Sequence, residues 1–507
     1  MEKAQFLLCL LFFRSMKKLL SIIALCLYIT GCKVQVPCAD LFEYCNSNTW
    51  ELSKDGTPFL RSLDSPVLPE KTAGTLDYRI NPDGSYTVFD HRQTILTGAS
   101  GEQIFPVLET DSHYYILSEK DLPFRALYKV DKKTYQTEKI SRKNNREAGG
   151  ILYSAGKTGT RIHGILYCGL IFEYDFFDPE LRKLYEKLQD TYATENIHIR
   201  TADRSGELWL CEIMFANKPS INILCSTKQQ NWKELDHPSN FSIAQDQEKE
   251  IFSFTASDGT VITGILSYPS KKYGRKNLPL IVFPHGGPFS ISMYHFDYRV
   301  EYLTRHGFAV LQPNYRGSTG FGKEFRTGFH SPRGIKRSLA DIAEATDVLI
   351  EKGIANPQKI TVSGGSWGGY CALALLAEYP ELYKTGISLF GASDLVAMLE
   401  IFPEKSAANR ALDKIQYGDI TDTVNRDQLK ALSPFYCINR IKAPILIFHF
   451  YNDKVLDYSQ SEKFYQKARC IGKDISFIHG PGEHGFKNGT DEARAYKKIV
   501  TFIEEKQ

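Results

Sequence analysis

The chain has 507 residues, 42% of them hydrophobic, which is enough for two or three domains with sizeable buried cores. Its 62 basic and 59 acidic side chains leave a net charge of +3 with no long basic run outside the N-terminus, so a nucleic-acid partner is not implied. Eleven cysteines form no Cys-x-x-Cys pair and no His/Cys cluster at zinc spacing, which points to small core residues rather than a metal site, and no cofactor is indicated.

Residues 1–31 read as a leader. Met16-Lys17-Lys18 is a short basic start, residues 19–28 are apolar, and Ile29-Thr30-Gly31-Cys32 has the small-residue pattern of a bacterial lipoprotein signal. Cleavage before Cys32 would leave that cysteine carrying lipid, with residues 32–49 as a tether. Met16 opens a complete signal by itself, so residues 1–15 read as an over-long start; the alternative is that they extend the apolar segment into an uncleaved anchor. Either way the remainder is expected in the bacterial cell envelope, held to the membrane and facing the periplasm or the exterior. There Cys38 and Cys45 have the option of a local disulfide.

Residues 50–249 are aromatic and β-branched runs broken by turn signals such as Asn81-Pro82-Asp83-Gly84. Residues 114–117, 126–130, 208–215 and 221–225 read as strands at spacings that suit antiparallel blades, without a clean repeat. One helix interrupts them, with Asp178 as cap, Pro179 in the first position, and Leu181, Leu184, Tyr185 and Leu188 on one face. That stripe is expected to be core.

A turn at Ser257-Asp258-Gly259 within residues 251–268 marks entry into a second domain over residues 250–507. Residues 278–284, 309–313, 360–363, 386–389, 444–449 and 475–479 read as strands, with helical patterns over 338–352, 459–469 and 491–504. Alternation of this kind predicts a doubly wound, mostly parallel α/β sheet with its site beyond the carboxyl ends of the strands.

The stretch around which the chemistry gathers is Gly364-Gly365-Ser366-Trp367-Gly368, a Gly-x-Ser-x-Gly turn between strand 360–363 and a Leu/Ala-rich helix that Pro380 ends. A serine hydroxyl needs a base and an orienting carboxylate to act as a nucleophile. Asp453 follows strand 444–449, and His484 follows the last strand within Gly482-Glu483-His484-Gly485, which is the Ser, Asp, His order of α/β-hydrolases. His479 falls inside a strand pattern and Asp457 lies closer to the next helix, so both are weaker candidates. His285-Gly286-Gly287-Pro288 can present the Gly287 amide, and the nucleophile is followed by the Trp367 amide, giving two oxyanion donors.

With these motifs in view, residues 251–506 resemble the catalytic domain of the prolyl oligopeptidase family of serine peptidases, especially its acylaminoacyl-peptidase and dipeptidyl-peptidase-like bacterial branch. The matching pieces are His285-Gly-Gly-Pro288, Asn314-Tyr-Arg-Gly-Ser-Thr-Gly-Phe-Gly322, the serine turn, Ser433-Pro434 before Ile441-Lys-Ala-Pro444, and the Asp453 and His484 loops. The resemblance implies hydrolysis of short peptides through an acyl-enzyme, with Ser366 as nucleophile, His484 as base then acid, and Asp453 as orienter. It also implies a β-propeller ahead of the hydrolase domain. Blades take about 40–45 residues, so the 50–249 stretch holds only four or five, and a reduced or incomplete propeller is expected. Two departures stand out: His449-Phe450 where the family has His-Gly, and Trp367 where tyrosine is common. Since one fold hosts many substrates, a carboxylesterase with the same triad is the alternative, and a non-catalytic binding protein on a hydrolase scaffold is a third.

Overall fold

The computed structural model describes residue 102 and residues 104–507, apart from 157–158, 236–247 and 401–406, together with the backbone of five earlier strands. The leader, Cys32, the Cys38/Cys45 pair and the turn at residues 81–84 lie outside the described residues.

The β-rich region consists of separate antiparallel sheets joined in sequence. Asn48–Leu52 pairs with Pro58–Ser62, and Asp77–Ile80, Tyr86–Phe89 and Thr94–Thr97 form a three-stranded sheet. A four-stranded sheet follows (Ile104–Glu109, His113–Ser118, Ala126–Asp131, Thr137–Lys139), then a three-stranded one (Glu147–Gly156, Gly159–Cys168, Glu173–Phe176). The last is four-stranded (Ile197–Ala202, Leu208–Ile213, Ile221–Ser226, Asn231–Glu234). Neighbours in sequence are neighbours in space throughout, the up-and-down order of propeller blades. Helix α1 (Pro179–Tyr192) begins as its sequence predicts: Asp178 accepts hydrogen bonds from the amides of Glu180 and Leu181, and Leu181, Leu184 and Leu188 are buried.

The second architecture is an eight-stranded sheet of β1 (Lys249–Thr255), β2 (Val261–Ser267), β3 (Leu278–Val282), β4 (Ala309–Asn314), β5 (Ala355–Gly365), β6 (Thr385–Leu389), β7 (Ile445–Phe450) and β8 (Ile475–Gly480). Their spatial order is β1-β2-β4-β3-β5-β6-β7-β8; β1, β2 and β4 pair antiparallel and every later pairing is parallel. Parallel strands are covered on both faces, so their residues alternate between two apolar layers. Leu280 and Val282 enter one layer with helices α3 (Ser331–Glu351), α4 (Trp367–Glu378) and α5 (Ser459–Cys470). Ile281 and Phe283 enter the other with α2 (Tyr298–Arg305) and α6 (Gly489–Lys506).

Two boundaries differ from expectation. Helix α3 starts at Ser331 rather than 338, because Pro332 in its first turn needs no intrahelical donor and presets the helical φ. Strand β5 starts at Ala355 rather than 360, since its polar residues 356–359 lie at the strand's entry, where exposure costs little. Among the described free cysteines, Cys211, Cys225, Cys371 and Cys437 are buried as expected, whereas Cys470 is exposed.

The β-rich sheets are joined to the hydrolase sheet through loops that follow β3 and β4. Tyr294 and Phe296 donate their amides to the carbonyls of Leu170 and Phe215 at 2.7 and 2.6 Å. The Gly320 amide reaches a Glu147 carboxylate oxygen at 2.9 Å, and Lys323 pairs with Glu102 at 2.8 Å.

Candidate active site

Strand β5 runs directly into α4 through Ser366, whose φ of 56° and ψ of −120° lie in a region that non-glycine residues rarely occupy. The surroundings over-determine this strained backbone. The Ser366 amide donates to the Leu389 carbonyl at 2.9 Å, and the Ser366 carbonyl accepts from Gly369 and Tyr370. Glycine at 368 is required by close approach, since a Cβ there would fall 2.3 Å from the Pro284 carbonyl oxygen. A Cβ on Gly286 would lie 3.4 Å from that of Ser366, so the His-Gly-Gly-Pro loop runs beside the serine.

That loop is anchored on its far side. The ring of His285 stacks on Tyr315, its Nε2 meets Ser318 Oγ at 2.7 Å, and burial pushes its pKa down to about 4. His285 is therefore a neutral anchor at physiological pH. Trp367 sends its side chain away from the site into an aromatic cluster with Phe329, Tyr370 and Tyr417, so only its backbone amide remains beside the serine.

Asp453 follows β7 in a turn tied to the turn after β8: Tyr451 and Asn452 donate amides to the carbonyls of Gly480 and Gly482, each at 3.0 Å. These two bonds set Asp453 against His484, and the carboxylate Oδ2 accepts from His484 Nδ1 at 2.6 Å. Oδ1 accepts from the amides of Val455 and Leu456 at 2.8 and 2.9 Å. Burial pushes this carboxyl's pKa up, but the hydrogen bonds from His449, His484 and the two amides outweigh it and hold it well below the usual carboxylate range. A carboxylate at Nδ1 keeps the hydrogen there and leaves Nε2 as the lone-pair nitrogen. Nε2 of His484 is buried and has no hydrogen-bond partner.

Ser366 and His484 line one cavity of about 630 Å³. Phe390 walls it edge-on to His484, with ring centroids 5.1 Å apart. Opposite lie Asp297 and Arg299, bonded through two parallel contacts of 3.0 Å, and Tyr496 of α6. Burial would raise the Asp297 pKa, but the Arg299 guanidinium dominates and holds it down at about 2. The Asp297 and Arg299 part of this wall, at the start of α2, directly follows the loop whose amides are held by the β-rich region. Sequence reasoning did not find it, because nothing in residues 289–299 marks them as facing a serine more than sixty positions away.

Neither rival takes part. His479 is an exposed residue of β8 bonded to the Tyr451 hydroxyl, and Asp457 accepts the Ser459 amide at the start of α5. A closed Ser-His-Asp relay exists in the β-rich region: Ser154 Oγ lies 2.9 Å from His163 Nε2, and His163 Nδ1 lies 2.7 Å from Asp178. It differs from the Ser366 site in what surrounds it. Ser154 sits within a strand rather than at a strained turn, and Asp178 is the α1 cap, so the relay ties a helix start to a sheet. No group of His, Cys, Asp and Glu among the described residues is arranged to hold a metal ion.

A doubly wound sheet with a strained serine at a strand-to-helix turn and a His–Asp pair beyond later strands defines the α/β-hydrolase class. Residues 294–507 match the prolyl oligopeptidase family. Dipeptidyl peptidase family member 6 of Caenorhabditis elegans is 32% identical over 228 residues, covering 45% of this chain and 31% of that protein. Dipeptidyl aminopeptidase BIII of Pseudoxanthomonas mexicana is 23% identical over 376 residues, covering 71% and 53%. The chain thus spans between about a third and about a half of the length of these relatives. The fold of a puromycin-hydrolysing peptidase of Mycobacterium tuberculosis superposes with a TM-score of 0.71 at 20% identity, over 84% of this chain and 66% of that one. That likeness extends through the β-rich, propeller-like part.

Proposed function

We propose that the protein is a serine peptidase that hydrolyses short peptides through an acyl-enzyme. The observation that carries this reading is the 2.6 Å bond from His484 to Asp453, which leaves an unpartnered Nε2 in the cavity that Ser366 also lines. His484 Nε2 takes the Ser366 proton as Oγ attacks the scissile carbonyl, and Asp453 stabilises the imidazolium that forms. The amides of Gly287 and Trp367 receive the oxyanion; each such donor is worth roughly 2.7–4 kcal/mol of barrier. Collapse of the tetrahedral species expels the amine, which leaves with the proton from His484, and the acyl group stays on Ser366. Water then gives a proton to His484 and attacks the acyl carbon, releasing the acid and restoring Ser366.

Peptides are favoured over esters by the family that residues 294–507 match and by dipeptidyl peptidases among the relatives. Short peptides are favoured over proteins because the β-rich region holds the loop that walls the cavity. The test is turnover of dipeptidyl- and aminoacyl-amides, a peptide length series to roughly thirty residues, an unfolded protein and short acyl esters by one preparation, compared as kcat/KM. Efficient digestion of the unfolded protein removes the size filter. Esters accepted with every peptide refused establish the carboxylesterase reading instead.

The address belongs to the same reading. A mature chain that begins at Cys32 and carries lipid would place the enzyme on the cell envelope, facing the periplasm or the exterior. More than one acyl chain on that residue holds it there stably. Mass spectrometry of the native N-terminus decides this, and an unmodified chain starting at Met1 or Met16 refutes cleavage.

A further inference from the structure

The carboxylate of Asp453 faces two histidines. Oδ2, which accepts from His484 at 2.6 Å, also lies 3.2 Å from Nε2 of His449. His449 belongs to the end of β7 and is fully buried, and the same Nε2 lies 3.0 Å from the Leu456 carbonyl. A carbonyl and an ionised carboxylate both only accept, so Nε2 carries the hydrogen. At the opposite side of the ring Nδ1 lies 2.7 Å from the hydroxyl of Ser461, a buried residue of α5 that is able to donate. The neutral Nε2–H tautomer satisfies both nitrogens.

We propose that His449 is a positioning residue for the Asp453–His484 pair: kept in the Nε2–H form by Ser461, it donates to Leu456 and to Asp453 Oδ2, fixing the carboxylate and the charge it turns toward His484. This rests on the reading of Asp453 and His484 as orienter and base. The Asp453 side chain is wholly shielded from solvent, so water does not replace a lost donor. With His449 gone, Oδ2 would keep only the bond to His484, the ring it is meant to orient, and the two amides on Oδ1 would be the carboxylate's other anchors. A donor on Oδ2 also draws negative charge away from the atom that stabilises the His484 imidazolium. The groups facing His449 are Asp453 and Leu456 from its own loop, His484 across the carboxylate, Ser461 of α5 and the Tyr458 ring, nearly perpendicular with centroids 5.9 Å apart.

The test is a comparison of His449→Leu, which removes the donor, with His449→Gln, whose amide can donate from nearly the same point. In the Leu variant kcat should fall by about 10- to 100-fold with KM little changed. The acid limb of the kcat/KM profile should move to higher pH by about 0.5–1 unit. The Gln variant should recover the limb position and most of kcat. A Leu variant with an unmoved acid limb, or a Gln variant no better than Leu, overturns the proposal. Should the Leu variant fail to fold, 15N spectra of histidine-labelled wild type decide it. The signal lost in His449→Gln must report an Nε2–H ring at the pH of the activity assay, and an Nδ1–H ring refutes the assignment. Fluorophosphonate labelling of the wild type keeps the two readings apart: absence of label at Ser366 removes the catalytic reading itself, whatever the state of His449.

Discussion

Arg326, in the short helix Lys323–Thr327 between β4 and α3, forms an ion pair with Glu119 of the β-rich region, and the two side chains retain only 3% and 1% of their exposure. Breaking a buried pair leaves an uncompensated charge, so Arg326→Met should destabilise by about 3–5 kcal/mol, while Arg326→Met with Glu119→Leu should recover much of that loss. Urea unfolding of the single and double variants measures both. A single variant as stable as wild type would show that the contact does not join the two regions.

Labelling separates the site's members from their look-alikes. Ser366→Ala should abolish fluorophosphonate labelling and turnover, and His484→Ala should reduce turnover by a factor on the order of 10³ or more. His479→Ala and Ser154→Ala should label at Ser366 as wild type does, because His479 packs among Tyr451, Tyr458 and Phe477 rather than against His484, and Ser154 belongs to a relay that caps α1. Label mapped to Ser154 in the Ser366→Ala variant would contradict the structural role assigned to that relay.

Gly368→Ala tests the closeness of the serine turn to the oxyanion loop. The added methyl meets the Pro284 carbonyl at 2.3 Å, a backbone atom that cannot rotate aside. A stability loss of about 1–3 kcal/mol is expected, as for other overpacked sites. Activity should fall further than stability does, since Pro284 leads into the loop that carries Gly287.

Acidification should unfold the protein through half-buried histidines that are neutral in the fold. Burial pushes His285 and His330 down to about 4, and at His330 the nearby Arg326 adds to the effect. In the unfolded chain they return to about 6.5. Between these values the unfolded state binds more protons, so stability rises with pH across that window and is lost as pH falls from about 6.5 to about 4. His330→Gln should flatten the dependence of Tm on pH in that range. An unchanged slope would mean that His330 titrates normally in the folded protein.

The serine turn, the order of Asp453 and His484 and the alternation of strand and helix were legible in the chain because each is local. A strained turn needs glycines beside it, a parallel strand needs an apolar run, and a catalytic loop follows a strand end. The helix at Asp178 was legible for the same reason, with cap, proline and leucine stripe inside a dozen residues. The α3 start was placed seven residues late, at 338, although Pro332 is a good first-turn residue.

What depended on tertiary structure is every pairing that closes across the chain. The departure at His449-Phe450 was visible, but not that His449 and His484 meet at one oxygen of Asp453. Nor did the sequence show that Ser154, His163 and Asp178 come together, since that relay closes between two strands and a helix start and carries no local motif like the glycines around Ser366. The cavity wall at 290–299 was equally hidden, because amides of that loop are satisfied by carbonyls of Leu170 and Phe215. Local backbone preference decides which elements form. Burial and hydrogen-bond satisfaction between distant segments decide which side chains they bring together.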